Sequence, residues 1–415
     1  MKLRTATILA ATALAFTAAP SQAKWVATWT AAPHPPLGTT GPFAAADYDN
    51  VTLSMVMRVT QGGDRLRVRF SNRYGQHPLK IGAARVFRID DAGKEIPGTS
   101  RTLTFSGDAG ATIPVGAPFT SDPVALKTPD LSRLRVEFYL PEATGPCTCH
   151  LTGDDELDVS PPGNFVGKAF TPADTKQFRA FLSGIDVDSA NTLGTIVAYG
   201  DSITDGVGAS AGKNTRWPDI LADRLHAAGK EWAVANEAIS GNRVLSPGMG
   251  ESALTRFDSD VLSLPNVKYM LVYEGVNDLG MQWGPKRTGG PGPIPGLANS
   301  PIDADQMIAG YKQLIARAHL HGIKVIGSPI GPYKGASYWS PEGEAAREKI
   351  NDWIVHSGAF DGVIRLDTAF ADPADPQKIR EGYHFGDHLH GNDAGYKAAA
   401  DSIPLGLFKT SNGSH

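Results

Sequence analysis

The chain has 415 residues, enough for two or three domains at roughly 150 residues each. Its composition, 41% hydrophobic and 20% charged, excludes disordered, collagen-like and coiled-coil chains. A formal net charge of −4 leaves no basic surplus to neutralise a phosphate backbone, so nucleic acid is not an expected partner.

The first residues read as a leader rather than as fold. Lys2 and Arg4 precede a small, apolar run over 5–19, and Ser21-Gln22-Ala23 supplies an A-x-A-like cleavage site. That run is too short to cross about 30 Å of hydrocarbon, and no later stretch is long and apolar enough to do so. The reading is a signal peptide over 1–23, a mature start near Lys24, export to the periplasm or beyond, and no membrane span.

Residues 24–187 read as a β-rich domain. The stretches 51–60 (VTLSMVMRVT), 65–71 (RLRVRFS) and 134–140 (LRVEFYL) alternate apolar with polar residues, as half-buried antiparallel strands do. Gly62-Gly63, Asp91-Ala92-Gly93 and Gly107-Asp108 punctuate them as turns. A sandwich buries one face of many such strands. The chain's two cysteines, Cys147 and Cys149, lie in Pro-Cys-Thr-Cys-His. A disulfide suits an exported compartment and ranks first, free thiols second, and a metal site last, since no second pair completes a ligand set.

Residues 188–415 read differently. Short apolar stretches at 195–199, 233–239, 268–273, 324–330 and 363–366 are strand-like, and helical patterns separate most of them. The pattern over 217–227 has Pro218 in its first turn and Ile220, Leu221 and Leu225 on one face. Another over 305–320 opens on an acidic cap and stops at Gly322, and a third opens at Ser340-Pro341 and runs to about residue 356. Such alternation predicts a parallel sheet covered on both faces. The Gly/Pro-rich stretch 284–301 reads as a long mobile loop. The switch near 186–191 makes the β-rich part a separately folded module in this reading.

Chemistry concentrates at the predicted strand ends. Val197-Ala198-Tyr199-Gly200-Asp201-Ser202-Ile203-Thr204 runs a strand into a tight turn, where open α/β sheets place their sites. Taken alone, Asp201 and Ser202 could simply cap a helix. Near the C-terminus, Asp387 and His390 in Gly-Asp-His-Leu-His-Gly are three residues apart, so one turn lets the carboxylate fix the imidazole tautomer. His388 is the nearer decoy. A metal reading of His384, His388 and His390 lacks the spacing of helical zinc hydrolases, so neither metal nor cofactor is expected. Gly206-Val207-Gly208-Ala209-Ser210-Ala211-Gly212 is one residue too long for a dinucleotide turn. Gly241 ends the second strand and Asn277 follows the third, where a backbone N–H and an amide can donate. Singly these are turn residues. Together, Ser, Gly, Asn and His supply a nucleophile, oxyanion donors and a base for acyl transfer.

In these four blocks, Gly200–Thr204, Gly241, Gly275–Asp278 and Asp387–His390, the chain resembles the SGNH (GDSL) hydrolase family in the family's order. The resemblance covers about 192–403. It implies a five-stranded parallel sheet in an α/β/α sandwich, with Ser202 as nucleophile, His390 as base and Asp387 as its orienter. Ser202, Gly241 and Asn277 would form the oxyanion hole. Gly391 departs from the proline that many relatives carry there. Trp25–Trp29, Phe181–Val187 and Arg216-Trp217-Pro218 further resemble an esterase subgroup of xylan-degrading bacteria, either arylesterases or carbohydrate acetylesterases. The implied function is a secreted esterase acting on short acyl groups, acetyl foremost, of a small-molecule or polysaccharide ester. An acyltransferase on the same fold and a catalytically silent carbohydrate-binding protein are the alternatives, and the oligomeric state is not readable.

Overall fold

The computed structural model describes residues 24–37, 46–285 and 302–409. The expected leader over 1–23 and nearly all of the predicted Gly/Pro-rich loop lie outside the described residues.

The N-terminal half is built from two antiparallel sheets around one core. One pairs Trp25–Thr30 with Leu182–Asp188 and then Gly63–Ser71. The other centres on Val51–Arg58 and Arg133–Leu140. Leu66, Val68 and Phe70 from the first meet Leu53, Met55 and Phe138 from the second, all buried. The rings of Phe70 and Phe138 meet edge to face at 5.3 Å. The alternation read over 51–60 is only half the story, because both faces of Val51–Arg58 are covered. On its outer face Val56 packs with Phe87 and Ile89 in a small separate cluster. Cys147 and Cys149 are bonded to each other.

The second half is a five-stranded parallel sheet with helices on its faces. Its order is Trp232–Asn236, Gly194–Gly200, Val267–Tyr273, Lys324–Gly327 and Gly362–Val363. Gly194–Gly200 is buried along its whole length, as an apolar inner strand flanked by helices must be. Three strands end earlier than their apolar runs suggest. Beyond Asn236 the backbone crosses the end of Gly194–Gly200, the Ile239 N–H donating to the Gly200 carbonyl at 3.0 Å. Beyond Gly327 the ladder stops, and Leu366 opens a helix over Leu366–Phe370 rather than extending the last strand. The helix Ala304–Leu320 is capped by Asp303, not Asp305, in a box shared with Gln306.

The halves share a seam along the edge strand Trp232–Asn236. Thr60 Oγ1 accepts from the Val234 N–H at 3.0 Å and lies 2.9 Å from its carbonyl, while Thr30 Oγ1 donates to Asn236 O at 2.9 Å. These hydroxyls satisfy backbone groups that an uncovered edge would expose. Ala27 sits in the core of the parallel-sheet half and Ala233 in that of the β-rich half. Two of the sequence markers, in Trp25–Thr30 and Leu182–Asp188, are paired neighbours at this seam. It is a closer union than a linker between independent modules provides.

Candidate active site

Gly200 ends the inner strand Gly194–Gly200 where a side chain would not fit, since a Cβ there would lie 2.3 Å from the Tyr273 carbonyl oxygen. Asp201 then caps the four-residue helix Ser202–Asp205, accepting from the Ile203 N–H at 3.0 Å. The helix closes on Gly206, whose positive φ of 105° suits glycine. The capping reading therefore holds for Asp201 and not for Ser202. Ser202 Oγ faces His390 Nε2 at 2.7 Å, and His390 Nδ1 lies 2.6 Å from Asp387 Oδ2. The other Asp387 oxygen accepts from the backbone N–H groups of Leu389 and His390 at 3.0 and 2.9 Å. Half-burial would raise the Asp387 carboxyl, but these bonds to His390 and Leu389 hold it below its ordinary value.

His388 turns away from this chain. Its backbone is left-handed at φ 58°, and its ring packs on that of His384 at 4.4 Å. Among the described residues, no cluster of three or more His, Cys, Asp or Glu side chains is arranged to hold a metal ion. His390 instead has Phe385 beside it, ring centres 5.8 Å apart, and Phe385 is 53% exposed.

Gly241 and Asn277 are joined through Asn242. Asn277 Nδ2 donates to the Asn242 carbonyl at 3.0 Å. The Asn242 amide in turn accepts from Arg256 at 2.9 Å and donates to Glu251 O at 2.7 Å. Gly241 has a φ of 74°, and a Cβ there would press on Met249 at 2.9 Å. The structure thus brings Ser202, His390 and Asp387 together in one hydrogen-bonded chain and joins Asn277 to the loop of Gly241 through Asn242.

Sequence reading missed the frame beneath them. Arg256 is buried and donates to the carbonyls of Gly200 at 3.1 Å and Glu237 at 2.5 Å, tying two strand ends together. It also reaches Asp260 at 3.1 Å and lies 4.0 Å from the Tyr199 ring centre. Around it, burial pushes the carboxyls of Asp201 and Glu274 upward, their mutual repulsion adding to the shift of Glu274. Burial also raises Asp278 to about 6, although it accepts from the Val244 N–H at 2.9 Å. No short-range motif announces an arginine that binds the backbone carbonyls of two strand ends and the Asn242 side chain.

Residues 198–398 match the GDSL-like lipase/acylhydrolase family. This part of the chain is a GDSL-like lipase/acylhydrolase domain. The protein is accordingly a hydrolase acting on carboxylic esters, with the SGNH hydrolase fold in its second half. Among solved structures, the chain is similar to the psychrotrophic esterase EstA from a Pseudoalteromonas species, at 18% identity over 50% of this chain and 93% of that one, with a TM-score of 0.35. It is also similar to an acetyl xylan esterase, AlAXEase, at 20% identity over 50% and 96%, TM-score 0.36. A third is LAE5, an α/β hydrolase from the metagenome of Lake Arreo in Spain, at 18% over 52% and 95%, TM-score 0.39. No curated protein matches the chain. The GDSL-like domain holds every residue of the Ser202 constellation, and no helix among the described residues is long and apolar enough to cross a membrane.

Proposed function

We propose that the protein is an exported serine esterase that removes short acyl groups, acetyl foremost, from carbohydrate or aryl alcohols. The observation that carries this reading is the unbroken chain Ser202–His390–Asp387, at 2.7 and 2.6 Å. His390 Nε2 takes the Oγ proton as Oγ attacks the ester carbonyl, and Asp387 holds the imidazolium that forms. The tetrahedral oxyanion is met by the N–H groups of Ser202 and Gly241 and by the Asn277 N–H not spent on Asn242. Collapse expels the alkoxide, which takes the proton from His390 and leaves the acyl group on Ser202. Water, deprotonated by His390, then releases the acid and restores the serine.

The proton transfer places the leaving alcohol on the His390 side. The exposed Phe385 ring stands there, a flat apolar surface for a sugar ring or an aryl group. The leader-like sequence over 1–23 and the bonded Cys147–Cys149 pair both suit an oxidising, exported destination. The domain limits we propose are 24–187 and 188–415.

A fluorophosphonate probe tests the mechanism. Its adduct is expected on Ser202 by mass spectrometry, with Ser202→Ala folded and slowed by about 10⁴-fold or more. An adduct on another serine defeats the assignment. A panel of acetyl esters tests the alcohol: Phe385→Ala should weaken turnover of aryl acetates and acetylated xylan while sparing ethyl acetate. Equal loss on all three removes Phe385 from the argument.

A further inference from the structure

We propose that His150, carried by the β-rich half, is a positively charged positioning residue that clamps the nucleophile helix to the oxyanion loop. The inference rests on the Ser202 reading above and extends it to a residue outside the matched domain.

The charge follows from the partners. His150 lies in the two-residue strand Cys149–His150, paired with Arg179–Ala180, and is buried. Its Nδ1 is 2.9 Å from the Ala32 carbonyl, which can only accept, so Nδ1 carries a proton. Its Nε2 is 2.9 Å from the Thr152 carbonyl and 3.0 Å from Asp205 Oδ1. A bare Nε2 would set its lone pair against the Thr152 carbonyl, so this nitrogen is protonated too. Both nitrogens donate, and the ring is an imidazolium.

His34 makes the contrast. Its ring centre is 6.5 Å from that of His150 and it is equally buried. Its Nδ1 meets the Pro35 carbonyl at 2.9 Å, but its Nε2 accepts from the Leu151 N–H at 3.1 Å. That ring is neutral, and burial pushes its pKa down to about 4. Burial acts in the same sense on His150, yet the charge and hydrogen bond of Asp205 outweigh it and raise the imidazole. The same pairing overcomes burial at Asp205 and lowers its carboxyl. Other titratable groups also face the pair: Arg179, which opposes the imidazolium from the neighbouring strand, Arg216, which favours the carboxylate, and the buried Asp201 carboxyl, which Asp205 repels.

Asp205 is where the clamp acts. It is the last residue of the helix that Ser202 begins, and its N–H bonds to the Asp201 carbonyl at 2.8 Å. Its Oδ2 accepts from both the N–H and the Oγ of Ser240, at 3.0 and 2.7 Å, and Ser240 directly precedes Gly241. One buried carboxylate therefore sets the nucleophile turn against the loop that presents the Gly241 N–H. His150 supplies the compensating charge without which that carboxylate would stand buried and under-paired. Displacements of about 1 Å in such a frame can cost 10²-fold in rate.

The experiment combines histidine ¹⁵N spectra of the full-length mature protein with kinetics of His150→Gln. At pH 8 one histidine is expected with both nitrogens protonated, and its signals should vanish in H150Q. That variant should lose about 10²-fold in kcat on a small aryl acetate with KM nearly unchanged. Phosphonate labelling of Ser202 should slow by a similar factor. If H150Q does not fold, the doubly neutral pair H150Q/D205N should fold and show the same slow labelling. A neutral His150 at pH 8, or a folded variant with wild-type kcat, overturns the proposal. Failure of the probe to label Ser202 in the wild-type protein would instead overturn the active-site reading itself.

Discussion

The parallel-sheet half carries Ser202 and Asn277 in the first turns of helices and Gly241, Asp387 and His390 on loops, each within a short recognisable string. The β-rich half carries none of them and, among the described residues, reaches the nucleophile turn through the buried side chain of His150. The two also differ in how they are held. The parallel sheet closes its own site with Arg256, whereas the β-rich half covers that sheet's edge strand with hydroxyls from Thr30 and Thr60. A catalytic half can thus own all the reacting groups and still depend on its neighbour for a charge and a covered edge.

Separating the halves attacks this comparison most directly. A fragment of residues 192–415 loses His150 beside the buried Asp205 carboxylate and uncovers Trp232–Asn236. We expect it to be insoluble or without activity on a small aryl acetate. A soluble fragment with near-wild-type turnover would make the β-rich half a detachable module, as the change of pattern near 186–191 suggests. The next largest effect lies inside the catalytic half. His390→Ala should match Ser202→Ala in severity, about 10⁴-fold or more, while His388→Ala should be mild because that ring packs on His384 instead. Reversal of that order refutes the assignment of the base.

Asn277→Ala is expected to cost about 10²–10³ in kcat with little change in KM, as loss of one oxyanion donor does. Its side chain also bonds to Asn242 O, so a clean comparison requires that Gly241 stay in place; labelled amide spectra of Gly241 check this. A raised KM with unchanged kcat would falsify the role.

Legibility followed the range of the interactions. The strand-turn-helix at Ser202 and the turn joining Asp387 to His390 are local, so spacing alone carries them. Fold class was equally legible, because the periodicities of the two halves differ and each is set by which faces are buried. Arg256, Asn242 and the pair of His150 with Asp205 were not. Arg256 binds carbonyls 19 and 56 residues away, and His150 is 55 residues from Asp205. Such contacts exist only once the sheet edge has assembled, and no window along the chain contains both partners.

The smallest effect we expect is on stability, and it separates the catalytic half's frame from its chemistry. Burial raises Asp278 to about 6, against 3.8 for an ordinary aspartate. The folded chain therefore holds this proton more tightly than the unfolded chain does. The group's contribution to stability is full below about pH 4, falls as pH rises through about 6, and is level above that. Asp278→Asn keeps an oxygen to accept from the Val244 N–H and removes the charge that burial penalises. Thermal or denaturant unfolding should then show the variant gaining on the wild type between pH 4 and 7, by about 2–3 kcal/mol. A difference that stays flat across that range would mean that Asp278 is ionised at no cost in the folded protein, and that the N–H groups around it already offset its burial.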